Sequence, residues 1–239
     1  MLTVIARPDA RDWYQAPPLN IDYRKGLEEG AKGLRIAYSP NLGYAKVDPD
    51  VAKLVKSRVQ VFEELGARVE QIDLALEDPI SIMQPLWAVA LAMAVAPMVP
   101  AQRALCDQPM LELAEPGFQL SALEYRQIEK RRENFARRMV GLHADYDLLV
   151  TPQLATTAFA VNHEVPPDSE MKRWWQWSPF TYPFNLTQQP AAAVPCGFAP
   201  NGLPVAMQIV GAKFADPLVL RAARAYEAAH PFVMPPVRG

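Results

Sequence analysis

Alternation of side-chain character is clearest near the end of the chain. There Val205, Met207 and Ile209 take one side of an extended segment and Ala206, Gln208 and Val210 take the other. Neither side is built for bulk water, so the segment reads as an interior strand. An earlier apolar run, from Val194, is separated from it by Asn201-Gly202. Both residues tolerate the positive φ of a primed turn, and the arrangement predicts a hairpin. Upstream the period changes. Leu34 to Tyr38 reads as a strand, and Asp48 is an N-cap with Pro49 at the first helical position. Val51, Leu54, Val55, Phe62 and Leu65 then share one helical face, and Gly66 supplies the stop. Arg68 to Leu74 returns as a strand, so residues 34–74 predict a βαβ unit with a parallel, right-handed crossover.

The uncharged run from Leu86 to Ala96 is bracketed by Pro85, Pro97 and Pro100, too tightly for the roughly 20 residues of a membrane span. Its alanine content predicts a helix buried on all sides. A Pro-punctuated stretch leads to Pro116-Gly117. Ser121 and Glu124 then have capping-box spacing at the head of a long helix, Ala122 to about His143. Its cations Lys130, Arg131, Arg132, Arg137 and Arg138 are interleaved with Glu124, Glu129 and Glu133, the pattern of a solvated face rather than an anion site. Leu148 to Val150 forms a strand ending at Thr151-Pro152, with a loop to about residue 170. Ligands in open α/β sheets gather at the carboxyl ends of strands, which makes this loop a candidate pocket wall. Pro217 opens a last helix that Leu218, Leu220, Ala222, Ala225 and Tyr226 pack down as far as Ala229. Residues 1–33 read as a short helix at most followed by a linker, and residues 34–239 as the α/β domain.

Composition narrows the function classes. Half of the 239 residues are hydrophobic, enough for one large or two small domains. A formal net charge of −2 provides no electrostatic basis for nucleic-acid binding. Cys106 and Cys196 lie far apart without metal-ligand spacing, and both are expected as small buried apolar residues in a reducing cytoplasm. No charged segment followed by an apolar run and a small-residue cleavage site opens the chain, so no signal peptide is expected.

Candidate chemistry is sparse. Ser39, Ser57, Ser81, Ser121, Ser169 and Ser178 are never adjacent and never within a glycine-rich run, and no G-x-S-x-G elbow occurs. Cys196 with His143, His163 or His230 is a conceivable thiol pair, but nothing in the sequence brings a base or a pKa-lowering charge beside it. Asp145 with Asp147, or His163 with Glu164, lacks the further partners of a metal site. No phosphate loop or dinucleotide fingerprint occurs, and neither cofactor nor metal is expected.

The stretches Phe184 to Ala191 (FNLTQQPA), Val194 to Phe198 (VPCGF), Asn201 to Val205 (NGLPV) and Gln208 to Gly211 (QIVG) closely resemble the C-terminal signature of the amidase signature family. Tyr146 to Pro152, Leu34 to Ala37, Val47 to Val51 and residues 2–12 resemble further segments of that family, in its order. The resemblance implies the C-terminal part of the amidase signature fold, an α/β mixed sheet flanked by helices. It also implies amide hydrolysis by a serine, a second serine held by a cis peptide, a lysine and a Gly/Ser-rich oxyanion loop. That Ser-Ser-Lys core is absent from this chain, so the chain alone is expected to be inactive. In the family the segment matching residues 174–190 and the loop after Thr151-Pro152 help wall the acyl pocket. This suggests Gln153, Trp174, Trp177, Thr181, Asn185 and Gln189 as substrate-lining residues. Tryptophans at these positions would form an aromatic wall, or else core, or a cover for the absent half. Asn185 by its own chemistry favours bonding its own backbone in a turn. Gln188 stands where the family often has glycine. Expected partners are a small amide substrate, once the catalytic half is supplied, and a second chain. The alternative is a non-catalytic binding or homo-oligomeric assembly module derived from an amidase.

Overall fold

In a computed structural model, which describes residues 1–12, 14–15 and 21–234, eight α-helices and five strands are formed among the described residues. They are α1 Leu2–Ile5, β1 Arg35–Tyr38, α2 Pro49–Glu64, β2 Arg68–Gln71, α3 Ile80–Val95, α4 Pro100–Arg103 and α5 Gln108–Gln119. These are followed by α6 Ala122–Gly141, β3 Leu148–Pro152, α7 Tyr182–Thr187, β4 Ala191–Phe198, β5 Pro204–Gly211 and α8 Asp216–Ala229. Part of the linker expected over residues 1–33, at residues 13 and 16–20, lies outside the described residues.

The sheet is mixed, in the order β2-β1-β3-β5-β4. β2, β1 and β3 run parallel, and β3-β5 and β5-β4 are antiparallel. The expected βαβ unit is present, with the Asp48 carboxylate accepting from the Asp50 N–H at 2.8 Å to cap α2. β2 is shorter than the sequence suggests. Ile72 still donates to the Tyr38 carbonyl, but the Asp73 side chain then takes the Ala75 N–H at 2.8 Å, turning the chain away into a left-handed Ala75. The hairpin also forms, though not with a primed turn. Gly202 donates to the Ala199 carbonyl and only Gly202 of the Asn-Gly pair has positive φ, at 79°. Pro200 presets a three-residue loop closed by a left-handed glycine.

Each face of the sheet buries a separate core. Val205, Met207 and Ile209 meet Val51, Val55 and Phe62 of α2 and Ala222 and Tyr226 of α8 on one face. Val210 and Leu149 meet Met139 of α6, Phe184 of α7 and Phe180, which precedes α7, on the other. The alternation read from residues 205–210 therefore describes a strand buried on both faces. A third cluster joins Ile82 and Met83 of α3, Ile128 of α6, and Tyr182 and Leu186 of α7, with Trp174 and Trp175 packed against it.

The helical region between β2 and β3 departs most from expectation. α3 starts at Ile80, whose N–H is accepted by the Asp78 carboxylate at 2.9 Å, and it carries Pro85 inside. The carbonyl that Pro85 leaves without its intrahelical donor is that of Ser81, and Arg131 of α6 reaches it. The helix is not buried on all sides: Trp87 is 48% and Met93 73% exposed. The stretch through Pro116-Gly117 is helical as α5: Pro109 falls in its first turn, where no N–H is missed, and the helix carries Pro116 inside. The capping box of α6 is as expected, with Ser121 and Glu124 bonding reciprocally. The interleaved charges lie mostly in solvent as expected, with Arg132 alone half-buried among the five cations. Lys130 and Arg137 pair with Glu133, but Arg132 donates to the Leu186 carbonyl at the end of α7, and Arg138 to those of Leu74 and Ala75. Among the described residues no helix is long and apolar enough to cross a membrane.

Candidate functional site

The carboxyl end of β3 feeds a long irregular segment that folds back over the hairpin. The Gln153 N–H donates to the Ala206 carbonyl, Ala155 to that of Trp177, and the Asn201 amide to Thr157 Oγ1 at 3.1 Å. Glu164 then fastens the tryptophan segment. Its carboxylate accepts from Arg173 Nε at 2.8 Å and from the Trp174 N–H at 3.1 Å, and its carbonyl takes Trp177 Nε1 at 2.8 Å. Arg173 also lies over the Trp175 ring, 5.1 Å from its centre.

The substrate-lining candidates are distributed over three concavities rather than one. Gln153 and Trp177 line an apolar cavity of about 520 Å³ at the exit of β3, with Phe159, Val205 and Phe232. Phe159 meets Trp177 edge-on at 5.8 Å. Trp174 lines a narrower slot of about 260 Å³ between α3 and α5, beside Trp87 and Trp175. Asn185 and Gln189 border a wider cleft of about 730 Å³ that the first residues of the chain close on the far side. Thr181 lines none of these three; its hydroxyl donates to the Ser178 carbonyl at 2.9 Å, just before α7. Phe159, Phe232 and Trp87 carried no motif. Trp87 alone had a usable signal, as the one large aromatic in an otherwise aliphatic run.

Two side chains behave differently from the chemistry read in sequence. Asn185 lies within α7 and is exposed, and the turn is made instead by Gln188 in a left-handed conformation, φ 58° and ψ 35°. That conformation is the physical reason a glycine suits this position. Gln189 is buried, and its amide is committed inward. Thr187 Oγ1 donates to its Oε1 at 2.7 Å, while Nε2 donates to the Gly211 carbonyl at 3.1 Å and meets His143 Nε2 at 2.8 Å.

His143 Nδ1 lies 3.2 Å from the Tyr146 carbonyl, so the ring is best satisfied neutral, with its proton on Nδ1 and Nε2 accepting from Gln189. Burial holds its pKa below the ordinary imidazole value, opposed in part by the Tyr146 carbonyl and Asp147. A lowered folded-state pKa makes the neutral ring a source of stability above the unfolded value of about 6.5, lost as pH falls from there through the folded value. Melting temperature should therefore drop over this window in the native chain, and the drop should be shallower in His143→Gln. Superimposable pH profiles of the two proteins would refute the assignment.

The remaining nucleophile candidates are occupied or inaccessible. Cys196 is fully buried in the core between sheet and α8, and burial pushes its thiol up to about 12. His230 stacks on Tyr226 and His143 is held by Gln189. Each serine hydroxyl is engaged: Ser39 accepts from the Leu42 N–H, Ser81 from Arg131 of α6, and Ser121 caps α6. Ser57, Ser169 and Ser178 donate to the carbonyls of Leu54, Pro166 and Trp174. Asp147 accepts from the Arg35 N–H and guanidinium. Among the described residues, no three His, Cys, Asp or Glu side chains converge as a metal site would require.

A mixed sheet with this order, an apolar cavity at the exit of β3 and a tryptophan-rich segment leading into α7 define an α/β scaffold with a concavity at the carboxyl end of a strand. The sequence profile described as Amidase matches residues 1–220, and the chain belongs to that family. It is 31% identical over 238 residues to an acylamidase of Rhodococcus erythropolis, covering 97% of this chain and 50% of that protein. It is 29% identical over 240 residues to an amidase of Pseudomonas putida, covering 96% and 50%. Among solved structures, a bacterial aryl acylamidase of the amidase signature enzymes superposes with a TM-score of 0.81 at 26% identity, over 94% of this chain and 49% of that one. The chain thus spans about half the length of the curated relatives it matches.

Proposed function

We propose that this chain is the C-terminal portion of an amidase signature hydrolase, shaping the amide-binding cleft while hydrolysing no amide by itself. Turnover then depends on a polypeptide that supplies the family's Gly/Ser-rich loop with its Ser-Ser-Lys machinery. The observation that carries this reading is the state of the six serines: every hydroxyl oxygen has a hydrogen-bond partner, and among the described residues none bonds to a lysine or histidine that could take its proton. Family membership with half-length coverage supports it further. Gln153 and Trp177 are proposed to wall the cleft at β3 and Trp174 to wall the slot beside α3. Asn185, Gln189 and Thr181 shape α7 and its turn. The similarity to an acylamidase favours an acyl amide as substrate class.

The test is hydrolysis of a simple acyl anilide by the purified chain, alone and mixed with the separately expressed N-terminal half of the Rhodococcus acylamidase. No turnover alone and measurable turnover in the mixture are expected. Robust turnover by the chain alone would overturn the reading. A second reading, a non-catalytic assembly module, is favoured by one observation: the outer side of α3 and the following turn expose Trp87, Met93, Val99 and Leu105. A stable dimer by mass measurement in solution would favour it, and an aggregating monomer would favour the severed enzyme.

A further inference from the structure

The slot between α3 and α5 has walls of a different kind from the cavity at β3. Trp174 and Trp175 stand nearly perpendicular, 80° apart with ring centres at 5.8 Å, and Trp87 closes the corner 6.1 Å from Trp174. An aromatic guest in such a corner can stack on one indole while receiving the edge of the other, the two arrangements that aromatic pairs prefer. The remaining lining is apolar, from residues such as Met83, Leu113 and Pro116. Apart from the indoles, Gln84 is the one hydrogen-bonding side chain among the described lining residues, and none is charged.

The corner is also held open without help from a guest. Arg173 covers the Trp175 ring and is itself fixed by Glu164, which takes the Trp174 N–H as well. On the other side α3 and α5 pack backbone against backbone at Ala88 and Gly117, which fixes the spacing of the two helices. An unfilled apolar space forfeits packing energy, so walls braced against collapse point to an occupant. The volume of about 260 Å³ sets its size. An apolar cavity of roughly 150 Å³ accommodates benzene, so there is room for one or two fused rings.

We infer that this slot binds a neutral, flat aromatic group of one or two rings, bearing at most one hydrogen-bonding substituent for Gln84. The slot backs on Met83, Tyr182 and Leu186, the cluster that carries α7. Resting on the proposed amidase role, the inference assigns the guest as the aromatic portion of the amide substrate.

Equilibrium dialysis of the purified chain with N-phenylacetamide tests it, with N-cyclohexylacetamide as the saturated counterpart. Saturable binding of the phenyl compound is expected, at least threefold tighter than the cyclohexyl one. Trp174→Ala should weaken it at least tenfold, Trp174→Phe less than threefold, and Leu105→Ala, which removes an exposed side chain outside the slot lining, should leave it unchanged. Absence of saturable binding by the native chain, equal affinity for the two amides, or equal affinity of Trp174→Ala and the native chain would overturn it. Circular dichroism confirms that each variant is folded. Because dialysis needs no turnover, a slot that binds in a chain that no catalytic half can activate refutes the amidase role and not the slot. An active mixture whose chain fails to discriminate the two amides does the reverse.

Discussion

Gly43→Ala is expected to lower unfolding free energy by about 3 kcal/mol, from a left-handed backbone cost of about 1–2 kcal/mol and an overpacking cost of similar size. Gly43 has φ 94°, and a Cβ placed there would lie 2.6 Å from the Leu76 amide nitrogen and 2.8 Å from Ala75 Cα. The backbones meet so closely for a reason. Beyond the ends of β1 and β2 the two chains stay joined, with Leu76 donating to the Leu42 carbonyl at 3.1 Å, while Ser39 Oγ holds the left-handed Leu42 by accepting its N–H. Neither neighbour is a flexible side-chain tip that could move aside. Gly30→Ala isolates the backbone part, since Gly30 has φ 70° and nothing within 4 Å of its Cβ position. Urea unfolding of both variants checks the difference. Equal losses would mean that the close approach at Gly43 costs nothing.

Gly117→Ala should lose about 1–3 kcal/mol, although the same change in an ordinary helix interior gains up to about 1 kcal/mol. Gly117 sits in α5 against α3, where a Cβ would lie 2.2 Å from the Ala88 carbonyl oxygen and 2.8 Å from the Val89 nitrogen. Both are helix backbone, so relief requires the helices to separate. Pro116 and Ala88 line the aromatic slot, and the same separation should reduce binding of N-phenylacetamide at least tenfold. Gly141→Ala at the end of α6 is the control, with nothing within 4 Å of the added methyl group. Stability of Gly117→Ala equal to or above that of the native chain would show that α3 and α5 are not in this register.

Both glycines show where sequence reading stops. Nothing near Gly43 or Gly117 in the chain announces that the backbone of residue 76 or 88 lies against it, because these contacts join segments about thirty residues apart. Elements whose cause is local were legible. Asp48-Pro49 started α2, Ser121 and Glu124 closed a capping box, and the alternation over residues 205–210 placed β5 between two cores. Where two local signals competed, the packed chain chose between them. Asn201-Gly202 is competent for a primed turn, but Pro200, fixed near φ of about −65°, favoured a three-residue loop that leaves only Gly202 left-handed. Pro116-Gly117 looks like a helix break, yet the closeness of α5 to α3 rewards the small glycine and the helix runs through it.

The candidate site divides in the same way. The residues that lead into and follow α7 were identifiable from motif and composition, but their grouping was not. Side chains close in sequence at 174, 177 and 185 face three separate concavities, because a short 3-10 turn at Trp174–Gln176 and the helix α7 rotate successive residues in different directions. By itself the amino-acid order determined the class of fold and the family likeness, since both follow from neighbours along the chain. Tertiary structure alone decided which aromatic rings form a corner, that Gln189 turns inward to His143, and where glycine is obligatory. Those outcomes are set by distances between segments remote in sequence, and such distances exist only once the helices have settled on the sheet.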